Sequence, residues 1–294
     1  MVNIYQQVAR NKFQSAVIIT VFSLFITLVT YLIVYTLELP TIYLFLGLFF
    51  SLLSSLGSYF YGDQIILTLN KAKLANRKEF FNFYTVTENL CLGSQLPIPK
   101  IYVIDDPSPN AFATGRNPEH AVICATTGLL SKLNRSQLEA VISHELSHIR
   151  NYDIRLMMIV SILIGTLYSL INYFRFSNFS RRDRQNKQES GPLAIIGLVL
   201  IIFSPIIAKL IQLAISRRRE YLADASAVKL TKQPQSLIEA LTIISQDSSL
   251  TQTASRSTAA LYISNPFKKD NIASLFSTHP PIEKRIQELR NMVI

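Results

Sequence analysis

The segment from Val141 to Asp153, "VISHELSHIRNYD", contains two histidines at a spacing that suits a metal ion. His144 and His148 lie four residues apart, and Glu145 directly follows the first. On an α-helix such a pair projects from one side, so both imidazoles could bind one ion. Catalytic zinc keeps three protein ligands and one open position, polarises a carbonyl group and lowers the pKa of water. With Glu145 accepting the proton, the pattern predicts metal-assisted hydrolysis; the alternative is a helix with two surface histidines.

A capped amphipathic helix is predicted around this pair. Ser136 suits the N-cap position, and Glu139 three residues later completes the pattern of a capping box. Apolar residues recur at helical spacing and would form one buried face: Leu138, Val141, Ile142, Leu146 and Ile149. We therefore expect a helix that rests on a hydrophobic core and presents both histidines on one side.

A third ligand could come from the segment "RRREYLADASAVKL", which is rich in helix-forming residues. Glu220 and Asp224 lie four residues apart there and would share one helix face. Glu220 could complete the ligand set, and Asp224 could accept a hydrogen bond from the second nitrogen of a ligand histidine. Spacing alone equally allows a solvated charged face, because three arginines, 217–219, directly precede Glu220.

Two further histidines lie outside this pattern. His279 precedes two prolines on a loop that enters a final helix. From there it could donate a hydrogen bond to a transition-state oxyanion, or it could be a structural loop residue. His120 lies in the polar loop "RNPEH", and we interpret it as an ordinary surface residue.

The composition indicates a membrane protein. Hydrophobic residues make up 49% of the 294 residues and charged residues only 16%, whereas soluble domains usually carry about 25% charged residues. In a membrane protein, a net charge of +10 indicates lysine and arginine residues on the cytoplasmic side of the membrane. Nucleic-acid binding is disfavoured because the sequence contains no motif for it. Cys91 and Cys124 are too few and too isolated for a disulfide framework, so we expect reduced thiols.

Two uncharged apolar runs predict an N-terminal transmembrane hairpin. Ala16 to Thr36 and Thr41 to Gly62 are each long enough to cross about 30 Å of hydrocarbon. No small-residue cleavage site follows the first run, so we expect a retained anchor. The turn carries Glu38, whereas basic residues flank the outer ends: Arg10, Lys12, Lys71, Lys73, Arg77 and Lys78. The positive-inside rule therefore places both ends in the cytoplasm.

A second pair of apolar runs, Leu156 to Phe174 and Leu193 to Ala208, follows the histidine segment, and Pro205 predicts a kink in the second run. The second run continues past Lys209 to Ser216. We favour two crossings, although the basic loop between the runs would then lie outside, against the positive-inside bias. A re-entrant or peripheral pair would keep that loop inside. Either arrangement leaves the histidine segment and Glu220 on the same side.

Short strands are predicted at Lys100–Asp105, at Asn110–Gly115 and from Ala121, each bounded by proline or asparagine-rich loops, while residues 63–92 look mostly helical. No glycine-rich phosphate turn follows any strand, which excludes a Rossmann domain. We expect a mainly α-helical integral membrane protein with a small β-sheet. Residues 1–62 would form the hairpin, and residues 63–294 a catalytic domain interrupted by the hydrophobic helix pair at about 156–216.

The order of these segments closely resembles the HtpX group of membrane zinc metalloproteases, relatives of the CAAX prenyl proteases. The matching blocks span nearly the whole chain: "NAFATGRNP", "TGLL", "HELSHIRNYD", "RRREYLADASAV" and "FSTHPPIEKRI". The resemblance implies a gluzincin-type site with one Zn²⁺ ion. Its implied residues are His144, His148 and Glu220 as ligands, Glu145 as catalytic base, Asp224 as the partner of a ligand, and Asp153 in a structural role.

The resemblance also implies a substrate cleft beside the segment "NAFA". Asn110, Ala111, Phe112 and Ala113 would line it as a sheet edge that binds an extended peptide through backbone hydrogen bonds, which predicts weak sequence specificity. His279 would lie near the site. The expected location is the bacterial cytoplasmic (inner) membrane, with the catalytic domain facing the cytoplasm.

The sequence thus predicts a membrane-bound zinc endopeptidase that degrades misfolded or damaged membrane proteins. One alternative is a CAAX-type prenyl-protein protease, against which the small number of apolar runs counts. Another is a catalytically silent scaffold, although Glu145 is retained. A transporter is disfavoured because the apolar runs lack charged residues. Expected partners are unfolded or membrane-protein substrates, the lipid bilayer, and other membrane quality-control proteases or a second copy of the chain, but not nucleic acid.

Overall fold

The chain begins with two long apolar helices, α1 (Ile4–Thr36) and α2 (Ile42–Leu69). The computed structural model describes residues 4–36, 38–166, 217–249, 251, 253–254, 258–264, 266 and 280–292. Both helices are long and apolar enough to cross a membrane, over Gln6–Leu32 and Ile42–Leu69. Their outer faces expose large apolar side chains, such as Leu24 at 65% and Phe45 at 68%. Such a surface suits lipid better than water.

The expectation of mostly helical structure over residues 63–92 is wrong for the middle of this range. Helix α2 ends at Leu69, and Lys71 adopts a left-handed conformation with φ of 53°. A two-residue strand, β1 (Lys73–Leu74), precedes α3 (Phe81–Ser94). The side chain of Asn70 donates back to the carbonyl of Ile66 at 2.7 Å and helps to end the helix. Neither glycine nor proline marks this break in the sequence.

The three predicted strands are present, as β2 (Lys100–Ile104), β3 (Ala111–Gly115) and β4 (Ala121–Thr126). With β1 they form a four-stranded sheet in the order β1-β2-β4-β3. The β2–β4 pair is parallel, and the two outer pairs are antiparallel. Strand β3 therefore lies at the edge of the sheet, as the family resemblance implies.

Both faces of this sheet are buried, which explains why its strands read as nearly continuous apolar runs. Ile101 and Ile123 belong to the hydrophobic cluster that contains the histidine-bearing helix. Phe112 and Val122 belong to a second cluster, which contains residues of α1 and α2. The sheet is therefore the layer between the membrane helices and the helices of the candidate site.

The remaining helices pack on the sheet or on one another. They are α4 (Thr127–Lys132), α5 (Arg135–Arg150), α6 (the helical residues 153–166), α7 (Arg217–Thr231), α8 (Pro234–Gln246) and α9 (Ile282–Arg290). Helix α5 packs against α3, α7 and α8, and α9 packs against α7 and α8. Three helices therefore surround the predicted histidine helix.

The N-cap of α5 is Asn134, and the prediction of Ser136 is wrong by two residues. The Asn134 side chain accepts from the backbone N–H of Gln137 at 2.9 Å, and the Gln137 side chain accepts from the backbone N–H of Asn134 at 3.0 Å. Glu139 instead pairs with Arg135, at 3.1 Å. Both candidate boxes have the same spacing, and the earlier one adds two residues to the helix.

The second apolar pair is described only at its start, where α6 begins at Asp153. Residues 167–216, including Pro205 and the basic loop, lie outside the described residues. The number of membrane crossings in this pair therefore stays a prediction. The division of the chain into a hairpin (1–62) and a catalytic domain (63–294) also stays a prediction.

Candidate metal centre

Helices α5 and α7 bring three potential ligands together. The Nε2 atoms of His144 and His148 lie 3.2 Å apart. Carboxylate oxygens of Glu220 lie 3.5 Å from His144 Nε2 and 3.6 Å from His148 Nε2. His144 is fully buried and Glu220 is 7% exposed. From spacing alone, Glu220 could be either a metal ligand or a surface residue. The structure places its carboxylate beside the two histidines.

The spacing of these atoms fits a zinc ion. Zinc binds imidazole nitrogen and carboxylate oxygen at about 2.0–2.2 Å, and a tetrahedral arrangement then separates the ligand atoms by roughly 3.3–3.6 Å. The two Nε2 atoms lie 3.2 Å apart, and each has a different oxygen of Glu220 at 3.5 or 3.6 Å. The carboxylate therefore faces the position between the imidazoles with both oxygens. Two imidazoles and one carboxylate also leave a fourth position open, as catalytic zinc sites do.

The electrostatics of the cluster favour a cation. Burial lowers the pKa of His148, but the carboxylates of Glu220 and Asp153 outweigh it and raise the pKa to about 9. Burial and Arg285 lower the pKa of His144, yet hydrogen bonds to Asp224 and Glu220 leave it raised. The carboxylates around the two imidazoles therefore favour positive charge, and a divalent cation would take the place of the protons.

Each ligand histidine is oriented by a carboxylate on its other nitrogen. His144 Nδ1 lies 2.9 Å from Asp224 Oδ1, and His148 Nδ1 lies 3.0 Å from Asp153 Oδ2. Both Nε2 atoms are thereby turned toward the metal position. Asp224 lies beside the second nitrogen of a histidine, as the sequence predicts. For Asp153 we expected only a structural role, and the structure places it beside the second nitrogen of His148.

Arg285 on α9 is a site residue that the sequence analysis missed. It is fully buried and donates to Asp224 through Nε at 2.9 Å and through Nη2 at 2.6 Å. Burial raises the pKa of Asp224, but Arg285 and His144 hold it at about 2. A usable signal existed, because Arg285 falls on the apolar stripe of α9 with Ile282 and Leu289, whereas the other charged residues of the helix are exposed.

Glu145 lies on α5 beside the ligands and is 3% exposed. Burial raises its pKa above the ordinary value, although the two histidines oppose the shift. A carboxylate with a raised pKa accepts a proton more readily, which a general base requires. The position and environment of Glu145 therefore suit the predicted role.

The four residues of the predicted substrate edge differ in their surroundings. The Asn110 side chain donates to the carbonyl of Ser264 at 2.9 Å, and the carbonyl of Ala111 accepts from the backbone N–H of Ile263 at 3.0 Å. Phe112 packs edge-on against Tyr262, on the side of the membrane helices. A segment of the chain itself, residues 258–264, thus covers one end of the edge.

Ala113 is the residue of this edge that suits a peptide. The backbone of Asn110 faces β4, where its carbonyl accepts from Thr126 at 3.0 Å. Because facing alternates along an antiparallel strand, the backbone groups of Ala113 point away from β4. Among the described residues, no backbone hydrogen bond from outside the sheet reaches Ala113.

Among the described residues, His120 and the two cysteines are not part of this centre. His279 lies outside the described residues. His120 is exposed, and its Nδ1 lies 2.7 Å from the side-chain oxygen of Asn117. Cys91 and Cys124 are free and buried.

Comparison with known proteins identifies the family. Residues 79–293 match the model of Peptidase family M48. A "Protease HtpX homolog" of Streptococcus uberis is 40% identical, with coverage of 98% of this chain and 100% of the relative. One from Dictyoglomus thermophilum is 41% identical, with coverage of 98% and 94%. The crystal structure of S. mikatae Ste24p is 19% identical with a TM-score of 0.50, and it covers 97% of this chain and 67% of that one.

These similarities and the site define a membrane metalloprotease. The chain belongs to Peptidase family M48. The resemblance to the HtpX group is confirmed by relatives that match nearly the full chain, and the Ste24p structure shares the predicted fold.

Proposed function

We propose that the protein is a zinc endopeptidase of the bacterial cytoplasmic membrane that cleaves unfolded, misfolded or damaged membrane proteins from the cytoplasmic side. The observation that carries the proposal is the convergence of His144, His148 and Glu220 beside the buried Glu145. Peptide hydrolysis needs a Lewis acid and a base at one place, and this arrangement supplies ligands for the first and a carboxylate for the second.

The protein side chains divide the chemistry among them. A zinc ion held by the two imidazoles and Glu220 would polarise the scissile carbonyl and make water acidic enough to react near neutral pH. Glu145 takes the proton from the attacking water and returns it to the leaving amine. Asp224 and Asp153 hold the imidazoles in the tautomer that leaves Nε2 free for the ion.

Backbone recognition at β3 supports a broad substrate range. An extended peptide can pair with the outward N–H and C=O of Ala113 as an added strand, whatever its side chains. Such pairing requires a segment without stable secondary structure. Unfolded stretches of protein meet this requirement, whereas compact domains do not.

The position of the catalytic unit supports membrane proteins as substrates. The Arg116 guanidinium lies 5.3 Å from the ring centroid of Phe60, and that of Arg155 lies 5.5 Å from the ring centroid of Tyr59. Both aromatic residues stand at the end of the second apolar run, where cations and aromatic rings mark the membrane–water interface. The sheet and α6 therefore lie close to the surface from which a damaged membrane protein would be reached.

The test combines metal content with cleavage of an unfolded, fluorescently labelled protein, using the full chain in detergent. Wild type and Glu145→Gln should both hold near one zinc per chain, and only wild type should cleave. Glu139→Gln is the control, because Glu139 is a partly exposed residue of the same helix; this variant should both hold zinc and cleave the substrate. Zinc without cleavage in wild type would favour the silent scaffold, and absence of zinc would return the histidines to a structural role.

A further inference from the structure

The first membrane helix touches the turn that directly follows the ligand helix. Asn11 on α1 is 2% exposed. Its amide nitrogen donates to the carbonyl of Asn151 at 2.8 Å and to Asp153 Oδ1 at 2.7 Å. Two acceptors from one turn therefore converge on a single NH₂ group, which can donate to both.

This contact reaches the metal centre in one further step. Asp153 uses its other oxygen to hold His148 Nδ1, at 3.0 Å. The hydrogen-bonded path thus runs from Asn11 through a buried carboxylate to the imidazole whose Nε2 faces Glu220. Both hydrogen bonds of Asp153 are short, and Asp153 is 2% exposed.

A second contact ties the same carboxylate to α1. Arg219, next to Glu220 on α7, places Nε 3.7 Å from Asp153 Oδ1. Its Nη2 atom donates to the side-chain oxygen of Gln14 at 3.2 Å, one turn along α1 from Asn11. Helix α1 therefore borders both helices that carry the ligands.

The turn itself has a conformation that needs such contacts. Tyr152 has φ of 59°, a left-handed conformation that side chains other than glycine adopt at a cost. Lys12 on α1 lies with its ammonium group 4.4 Å from the centroid of the Tyr152 ring. Asn11 and Lys12 thus hold adjacent residues of one strained turn.

We infer that Asn11 is a positioning residue of the metal centre, and that α1 is part of the site and not only its anchor. Through Asp153, Asn11 fixes the orientation of His148 and thereby raises the affinity for the ion. The inference rests on the proposed role of His148 as a ligand. Partners of metal-bound histidines contribute about 10- to 100-fold in metal affinity. Asn11 acts through Asp153 and does not contact the histidine itself, so its effect should be smaller. We expect the zinc affinity to fall by about 3- to 10-fold in Asn11→Ala.

The test is a double-mutant cycle on zinc affinity, measured by competition with a chromophoric chelator, in the full-length protein in detergent. Asn11→Ala and Asp153→Ala are compared singly and together. If Asn11 acts through Asp153, its substitution should cause no further loss once Asp153 is gone. Additive losses, or unchanged affinity in Asn11→Ala, would overturn the inference.

Two variants separate hydrogen bonding from packing. Asn11→Leu keeps a side chain branched at Cγ with the same number of heavy atoms but has no donor, so it should lose affinity like Asn11→Ala. Wild-type affinity in Asn11→Leu would contradict the inference. Thr20→Ala is the matched control, because the Thr20 hydroxyl bonds within α1, to Ala16, and should leave affinity unchanged. The visible spectrum of bound Co²⁺ should shift in the Asn11 variants and not in the control.

The outcome also separates this inference from the proposed function. Failure of wild type to bind zinc or cobalt would count against the metalloprotease assignment. Normal binding by wild type together with unchanged binding by both Asn11 variants would count against the role of Asn11 alone.

Discussion

His144 and His148 are each oriented by an aspartate, but the two aspartates are held by interactions of different strength. Each donates from Nδ1 to a buried aspartate, and that aspartate is held by a residue from a distant part of the chain. For Asp224 the holder is Arg285, a bidentate cation, whereas for Asp153 the nearest is the neutral amide of Asn11. The charged pair should matter more, because a buried carboxylate without its cation is costly.

Arg285→Leu should therefore destabilise the protein strongly. Removing one partner of a buried ion pair typically costs about 3–5 kcal/mol, because the other charge stays uncompensated. Zinc affinity should fall as well, since Asp224 no longer has a fixed position beside His144. Thermal unfolding and zinc titration measure the two effects. Arg290→Leu, at an exposed position of the same helix, is the control, and equal behaviour of both variants would contradict the role of Arg285.

Glu220→Ala should abolish both zinc retention and cleavage, in contrast with Glu145→Gln. In the proposed centre the carboxylate of Glu220 would supply one of three ligand atoms, and two imidazoles alone would hold zinc much less tightly. Zinc per chain after dialysis is the measurement. Full occupancy in the Glu220 variant would refute its assignment as a ligand.

At the scale of helices and strands, the prediction succeeds where the pattern is local. Spacing of i and i+4 identifies the ligand face of α5, and runs bounded by proline identify β2 to β4. The break at Asn70 depends on tertiary contacts, so local patterns do not decide it. The position of Arg285 on the apolar stripe of α9 indicates its burial, but no local pattern identifies Asp224 as its partner. The approach of Asn11 to Asp153 joins residues 142 positions apart, and no spacing rule predicts such a pair.

The N-cap of α5 allows a direct comparison of the predicted and observed starts. Asn134→Ala should cost about 1 kcal/mol, because the backbone N–H of Gln137 loses its acceptor. Ser136→Ala should be nearly neutral, since Ser136 lies inside the helix. The midpoint of thermal unfolding distinguishes them, and the reverse order would restore the cap expected from the sequence.

The edge strand β3 offers a test of substrate binding that leaves the metal in place. Ala113→Pro removes one outward N–H, and proline is tolerated at sheet edges. Cleavage efficiency should fall by about tenfold, the equivalent of a hydrogen bond worth about 1.5 kcal/mol, with zinc content unchanged. Wild-type cleavage by this variant would exclude pairing at Ala113.

At the scale of the whole molecule, the membrane hairpin and the catalytic unit share one sheet. One face of the sheet packs with α5, and the other packs with α1 and α2. Zinc should therefore stabilise the entire described structure against heat, by about 2.7 kcal/mol when free zinc is a hundredfold above its Kd. Glu145→Gln should show the same shift in unfolding temperature as wild type, because Glu145 is not a ligand. A shift confined to wild type would contradict that division of roles.

The residues that build the centre are spread along the sequence, so the ribosome adds them at different times. Asn11 and Arg285 stand near opposite ends of the sequence, and both hold residues that orient the ligand histidines. At typical translation speeds, Arg285 is added on the order of tens of seconds after His144. Until then Asp224 has no cation, and His144 has no fixed partner. If the protein cuts unfolded chains as proposed, its own centre is still unassembled while it is itself an unfolded chain on the ribosome.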